Sequence, residues 1–182
     1  YLRFLCLALL AEAYAADAQL GRALKTYSTV LETPLGEDDY WRVRLVMGLG
    51  QTALMNNQPE IAIASLQPLK DYIADNPEFH RILSEAYHAM GFVEEGLASA
   101  RRVIKLAPHD INLLSWYAEK ALAVGNSQEA SSILKRAIEL DPSRSDLVLM
   151  LGKSLINLGE TQSAIDILHK LSLDETTDPE VL

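Results

Sequence analysis

The chain has 182 residues, with 25 acidic against 16 basic side chains for a net charge of −9, and is 49% hydrophobic and 23% charged. At this length about 70% of the unfolded surface can be buried on folding, and nine Gly and seven Pro are too few for a linker-rich or disordered chain. The acidity, with no Lys/Arg run longer than Arg101-Arg102, opposes binding to a phosphate backbone and argues against nucleic acid as a partner.

Taken in chain order, the first feature is the apolar run FLCLALLAEAYAAD, residues 4–17, preceded by Arg3. Glu12 breaks it as a secretory signal, and a helical register accounts for its pattern better. Cys6 lies in this run and reads as an inert core thiol; as the single cysteine it excludes an internal disulfide and a cysteine-based zinc site. No other segment is apolar enough to span a bilayer, so a soluble protein is expected, cytoplasmic with periplasmic as the alternative. Repeat one runs over 4–37, with Leu10, Ala11 and Tyr14 on a first helix and Ala23 and Tyr27 on a second. Gly36 can stop that second helix. The five residues DDYWR follow, and acidic Glu37, Asp38 and Asp39 suit a helix N-terminus, so the next helix is expected to start near Asp38.

Four units of 34 residues then succeed one another without insertion: repeat two at 43–76, three at 77–110, four at 111–144 and five at 145–178. Pro68 is expected to bend the second helix of repeat two, and Pro108 and Pro142 to end those of repeats three and four. At the end, DPEVL echoes NPEFH at 76–80, so residues 179–182 read as the start of a further repeat and the chain as an excerpt of a longer protein.

Numbering each repeat from 1 aligns its columns. Position 8 is Gly50, Ser84, Ala118 and Gly152, and position 20 is Ala62, Gly96, Ala130 and Ala164. Position 7 is Leu49, Leu83, Tyr117 and Leu151, and positions 24 and 27 are apolar throughout. Position 15 is Asn57, Gly91, Gly125 and Gly159, residue types that tolerate a left-handed turn after a helix. Positions 4, 7, 8 and 11 share one helix face, as do 20, 24 and 27, so each unit is a helical hairpin closed through small residues.

This column pattern resembles the tetratricopeptide repeat, or TPR, over nearly the whole chain. The resemblance implies an all-α fold, a right-handed superhelical solenoid of stacked antiparallel helix hairpins. The chain departs from the family at position 4, where an aromatic is common and Val46, His80, Leu114 and Val148 stand here.

Chemistry finds no support in the sequence. His80 and His88 are eight residues apart on one helix, no HExxH, CxxC or EF-hand spacing occurs, and Gly48 and Gly50 lack the spacing of a phosphate loop. No nucleophile elbow is present. No enzyme activity, cofactor or metal is therefore expected.

Positions 2, 5, 9 and 12 fall away from the hairpin face and form a separate stripe. In TPR proteins this stripe lines a concave groove that holds peptides or helices, and the resemblance implies the same here. The candidate groove residues are Arg44, Met47, Gln51, Arg81, Glu85, His88, Trp116, Glu119 and Lys153. Carboxylates at position 9 (Glu12, Glu85, Glu119) are taken as separate from Arg44, Arg81 and Lys153, and Met47, Ile82, Trp116 and Met150 as an adaptable apolar track. The Lys and Asn clamp of chaperone-tail TPRs is not reproduced. The expected partner is a protein or peptide, apolar with some basic residues. The leading function is a non-catalytic scaffold; a regulatory or substrate-presenting domain of a larger enzyme, or a homotypic assembly module joined through exposed repeat ends, are the alternatives, and reading of RNA is disfavoured. Ala130→Leu should overpack a helix crossing and cost about 1–3 kcal/mol; unchanged thermal stability would contradict the register.

Overall fold

Apolar side chains recurring at helical spacing leave the backbone to satisfy its own hydrogen bonds, and the chain responds with helices throughout. The computed structural model describes residues 2–32 and 39–176, among which ten α-helices and no strand occur. Helices α1 (Leu2–Ala16) and α2 (Leu20–Leu31) form repeat one, α3 (Asp39–Met55) and α4 (Pro59–Leu66) repeat two, and α5 (Pro77–Ala89) and α6 (Val93–Leu106) repeat three. Repeat four holds α7 (Ile111–Ala123) and α8 (Ser127–Leu140), and repeat five α9 (Ser145–Asn157) and α10 (Thr161–Thr176). The chain divides into two compact units, Tyr1–Val103 and Ile104–Leu182.

The first helices of repeats three, four and five begin on the first residue of each unit, and all five second helices begin at position 17. Helix α3 starts at Asp39; Asp38 itself, like Gly36 and Pro179, lies outside the described residues. Side-chain caps sharpen several starts. The Asn76 carboxamide accepts from the amides of Glu78 (2.9 Å) and Phe79 (3.2 Å) ahead of Pro77, and Asp110 accepts from Leu113 N at 3.0 Å. Asn126 and Glu129 cap α8 reciprocally: Glu129 N donates to Asn126 Oδ1 at 3.3 Å and Asn126 Nδ2 to Glu129 Oε2 at 2.7 Å.

The turn between the helices of each hairpin is the same in every repeat. The position-15 residue donates to the carbonyl of position 12, and the position-16 amide to the carbonyl of position 11: Gly125 to Leu122 at 3.0 Å and Asn126 to Ala121 at 2.8 Å, for example. This is the Schellman arrangement, which needs a left-handed residue at position 15. Asn57, Gly91, Gly125 and Gly159 all have positive φ, and so does Ala18 in repeat one, at φ 56°. The sequence alone did not mark Ala18, because alanine carries no preference for that region.

In the first unit, Ala8, Ala11, Ala23 and Ala62 are fully buried where α1 meets α2 and α3 meets α4. A Cβ on Gly50 would stand 3.3 Å from Leu66 Cδ1, so the glycine lets α4 lie directly on α3. A Cβ on Gly48 would stand 2.7 Å from Tyr27 Oη, seating the Tyr27 ring on α3, and burial pushes that phenol above its ordinary range. In the second unit, a Cβ on Gly152 would stand 2.8 Å from Leu168, and buried Ser154 donates its hydroxyl to the Ser127 carbonyl at 2.6 Å, pinning α9 to the start of α8. Each fully buried leucine at such a crossing contributes about 1.5–3 kcal/mol.

Two expectations fail for identifiable reasons. Cys6 is exposed, not core. It holds position 3, where Leu45, Phe79 and Leu147 are fully buried with the preceding helix packed against α3, α5 and α9, and Leu113 is half-buried. Pro68 does not bend α4 but ends it: lacking an N–H to bond the Ala64 carbonyl, it converts the last turn to a 3-10 turn over Gln67–Leu69. Leu69 stays buried on that turn.

Because Ala18 adopts a conformation that costs an L-residue about 1–2 kcal/mol, Ala18→Gly should raise stability by about 1 kcal/mol in denaturant unfolding. A loss of stability would contradict the left-handed turn in repeat one.

Candidate partner-binding surface

In the first unit the exposed face of α3 carries Tyr40, Arg44, Met47 and Gln51, spaced four, three and four residues apart and so stacked along one stripe. Tyr40, Val43, Arg44 and Met47 together with Asn76 bound a largely apolar cleft of about 480 Å³. Tyr40 is 65% exposed, and its neighbour Trp41 packs edge-on against Phe4, ring centroids 5.7 Å apart. Tyr40 and Asn76 were missed in the sequence. Tyr40 precedes the first position of repeat two, and the signal that finds it is the continuation of the 44–47–51 spacing backwards by one turn.

The charges on this face are paired, not separated as expected. Arg44 donates from Nε to Glu12 Oε1 at 2.6 Å and from Nη2 to Glu12 Oε2 at 2.8 Å, and its guanidinium lies 5.2 Å from the Trp41 ring centroid. Glu12 is position 9 of repeat one and Arg44 position 2 of repeat two, and packing α1 beside α3 brings those positions together. On α5, Arg81 grips Glu78 at 2.6 and 2.7 Å and Glu85 at 2.6 Å, the three- and four-residue spacings that face one another on a helix. Hydrogen bonds to Glu12 and Glu78 hold Arg44 and Arg81 protonated above the ordinary arginine range. The two clusters present partly neutralised, oriented guanidinium-carboxylate groups on either side of the Met47 cleft's helix.

Other candidates on this face are packing residues. Ile82 is 1% exposed, and its Cγ2 would lie 3.5 Å from a Cβ on Gly50, so it fills the space that glycine leaves and belongs to the core instead of an apolar track. Ala8, at position 5, is likewise fully buried. His88 is half-buried with its ring wedged against Gly96; Nδ1 donates to the Ser84 carbonyl at 2.9 Å, and Nε2 is buried without a hydrogen-bond partner among the described residues.

In the second unit, Trp116 is half-buried, its indole N–H has no partner among the described residues, and Lys120 Nζ stands 6.0 Å from its ring centroid. Glu119 and Lys153 are exposed. Leu149 and Ile156, each 56% exposed, flank Lys153 on α9 and form the most accessible apolar strip on that helix. Ser115 is buried and directs its hydroxyl toward Met150 sulfur at 3.9 Å. Arg144 binds both Asp146 oxygens at 2.7 and 2.8 Å and reaches Asn112 at 3.3 Å, and the Arg144 bond holds the Asp146 carboxyl below its usual range.

Among the described residues no group of three or more His, Cys, Asp or Glu could hold a metal ion, and no helix is long and apolar enough to cross a membrane.

Comparison with known proteins bears on the fold. A family model, tetratricopeptide repeat, matches residues 121–182. The chain is similar to tetratricopeptide-repeat proteins. It is similar to the TPR repeat-containing protein YpiA of Bacillus subtilis (strain 168), 29% identical over 119 residues that make up 65% of this chain and 27% of YpiA, so the chain spans about a quarter of that relative's length. Among solved structures, MamA matches with a TM-score of 0.80 and 17% identity, covering 97% of this chain and 94% of MamA. The nearly identical TPR-like repeats of a putative kinesin light chain from Podosopora anserina match with a TM-score of 0.77 and 19% identity, covering 97% of both chains. At these identities the structures show the shared fold. TPR repeats are generally protein-protein interaction modules.

The Arg44–Glu12 pair is exposed, 42% and 30% by side chain, so a double-mutant cycle with Arg44→Gln and Glu12→Gln should give a coupling below about 1 kcal/mol that shrinks further with added salt. A coupling of several kcal/mol insensitive to salt would show the pair to be structural.

Proposed function

We propose that the five repeats at 4–37, 43–76, 77–110, 111–144 and 145–178 act as one non-catalytic scaffold that binds a peptide or helix of a protein partner along the first-helix stripe. The observation that carries this reading is the apolar cleft of Tyr40, Val43, Arg44, Met47 and Asn76, open on that stripe, with Arg44 of its lining held in an oriented ion pair with Glu12. Such a surface offers an apolar anchor point with directional polar groups at its edge, the composition that recognises an amphipathic segment. In the first unit three stripe carboxylates, Glu12, Glu78 and Glu85, face two guanidiniums, Arg44 and Arg81, leaving one negative charge in excess. That excess and the chain's −9 support a partner with some basic residues beside its apolar ones. The pairing weakens this preference, because two of the three carboxylates expected at position 9 already have arginine partners.

Two further parts of the reading rest on separate observations. Self-association is supported by the outward face of α1, where Leu2, Leu9 and Leu10 are exposed beside Cys6. A regulatory or substrate-presenting role within a larger protein is supported by the match to about a quarter of YpiA. The cytoplasm is the proposed setting, where the exposed Cys6 thiol stays reduced.

Affinity capture from source lysate, quantified by mass spectrometry, should retain a partner on the parent chain that a Met47→Glu variant of verified helicity loses by roughly tenfold or more. Equal retention by both chains would move the binding surface away from the α3 stripe.

A further inference from the structure

A second cleft lies elsewhere on α3, where the end of α2, the apolar side of α3 and the end of α4 converge. It encloses about 490 Å³, within the range of ligand-sized sites. Its floor is Val46, Leu49 and Leu69, all buried, and its rim includes Arg42, Ser65 and Tyr72. In repeat numbering the floor is positions 4, 7 and 27, and the walls come from position 28 of the preceding repeat (Leu31) and positions 23 and 26 of the same one (Ser65, Pro68).

The second unit repeats the floor and wall positions of this arrangement. A cleft of about 250 Å³ is lined by Val148, Leu151 and Leu171 at positions 4, 7 and 27, Ile138 at position 28, and Ile167 and Lys170 at positions 23 and 26. Both clefts occur where position 4 is valine. In repeat three the same position holds a ring, His80, whose Nε2 bonds the Ala74 carbonyl at 2.8 Å and which packs edge-on to Phe79; in repeat four it holds Leu114, fully buried. The TPR pattern places an aromatic at position 4. The short valine side chain of Val46 therefore leaves open a space at a position where repeat three carries a ring.

We propose that the Val46 cleft is a docking site for one aromatic side chain presented by a partner protein, a tyrosine or tryptophan. The floor is apolar enough to hold the ring, while the Arg42 guanidinium and the Ser65 hydroxyl at the rim suit its face and its polar tip. The exposed Tyr72 ring supplies an edge-to-face neighbour. This site is distinct from the Tyr40–Met47 cleft, sharing Val43 between them, so a partner segment crossing α3 reaches both.

The test titrates N-acetyl-tryptophanamide into methyl-labelled chain and follows the Val46, Leu49 and Leu69 methyl resonances. Saturable shifts confined to those methyls are expected, with N-acetyl-leucinamide producing roughly tenfold weaker binding or less. Val46→Trp, which fills the space from within, should abolish the shifts and raise the melting temperature; if it does not fold, Ser65→Trp closes the cleft from the α4 wall and should abolish them too. Met47→Glu should leave the shifts intact, which separates this site from the stripe. Shifts that do not saturate, that survive both tryptophan variants, or that the leucine analogue matches would overturn the proposal, and in that case the cleft is unfilled packing space.

Discussion

Everything in this chain depends on how closely the two helices of a hairpin can approach. Leu66 rests on Gly50 and Leu168 on Gly152 at distances where any added Cβ would collide or crowd, and the facing position-20 residues are small and buried in every repeat. Close approach brings the leucines at positions 7 and 24 into the same dry interface, so the small columns and the apolar columns are one device: the first admits the contact and the second supplies its energy. The left-handed residue at position 15 makes that approach possible by reversing the chain within three residues while satisfying two helix-terminal carbonyls.

What this device leaves outside determines which side chains stand on the surface. A side chain opposite a small residue is drawn inward, as Ile82 is buried over Gly50 and the half-buried His88 packs its ring against Gly96. Tyr40, Arg44 and Gln51 on α3 and Leu149 and Ile156 on α9 stay out. Where position 4 is too short to fill its share of the interface, a cleft forms instead, as at Val46 and Val148. Surface and core thus obey the same volume rule in opposite senses.

Much of the fold was legible because the period of 34 is strict and its columns are redundant: a helix start at Pro77, Ile111 or Ser145 follows from several columns agreeing at once. The misreadings came where one repeat differs from the rest. Pro68 stops a helix that periodicity would continue, Cys6 is exposed where the apolar run suggested a core thiol, and Ala18, which no residue preference marks, takes the left-handed turn conformation. The candidate surface was less legible than the fold. Helical periodicity assigns a residue to a face but not to a partner on the next helix, so the Glu12–Arg44 pair becomes visible only when α1 and α3 are set side by side.

The fold rests on the register of close contacts between the helices of each hairpin. The most direct measurement is the set of nuclear Overhauser contacts from the Gly50 and Gly152 α-protons. The structure predicts strong cross-peaks from Gly50 to the Leu66 methyls and from Gly152 to the Leu168 methyls, with the Leu66 set weakened in an Ala62→Leu variant that forces α3 and α4 apart. Absence of both cross-peaks in the parent chain, or contacts from these glycines to residues out of the 34-residue register, would contradict it.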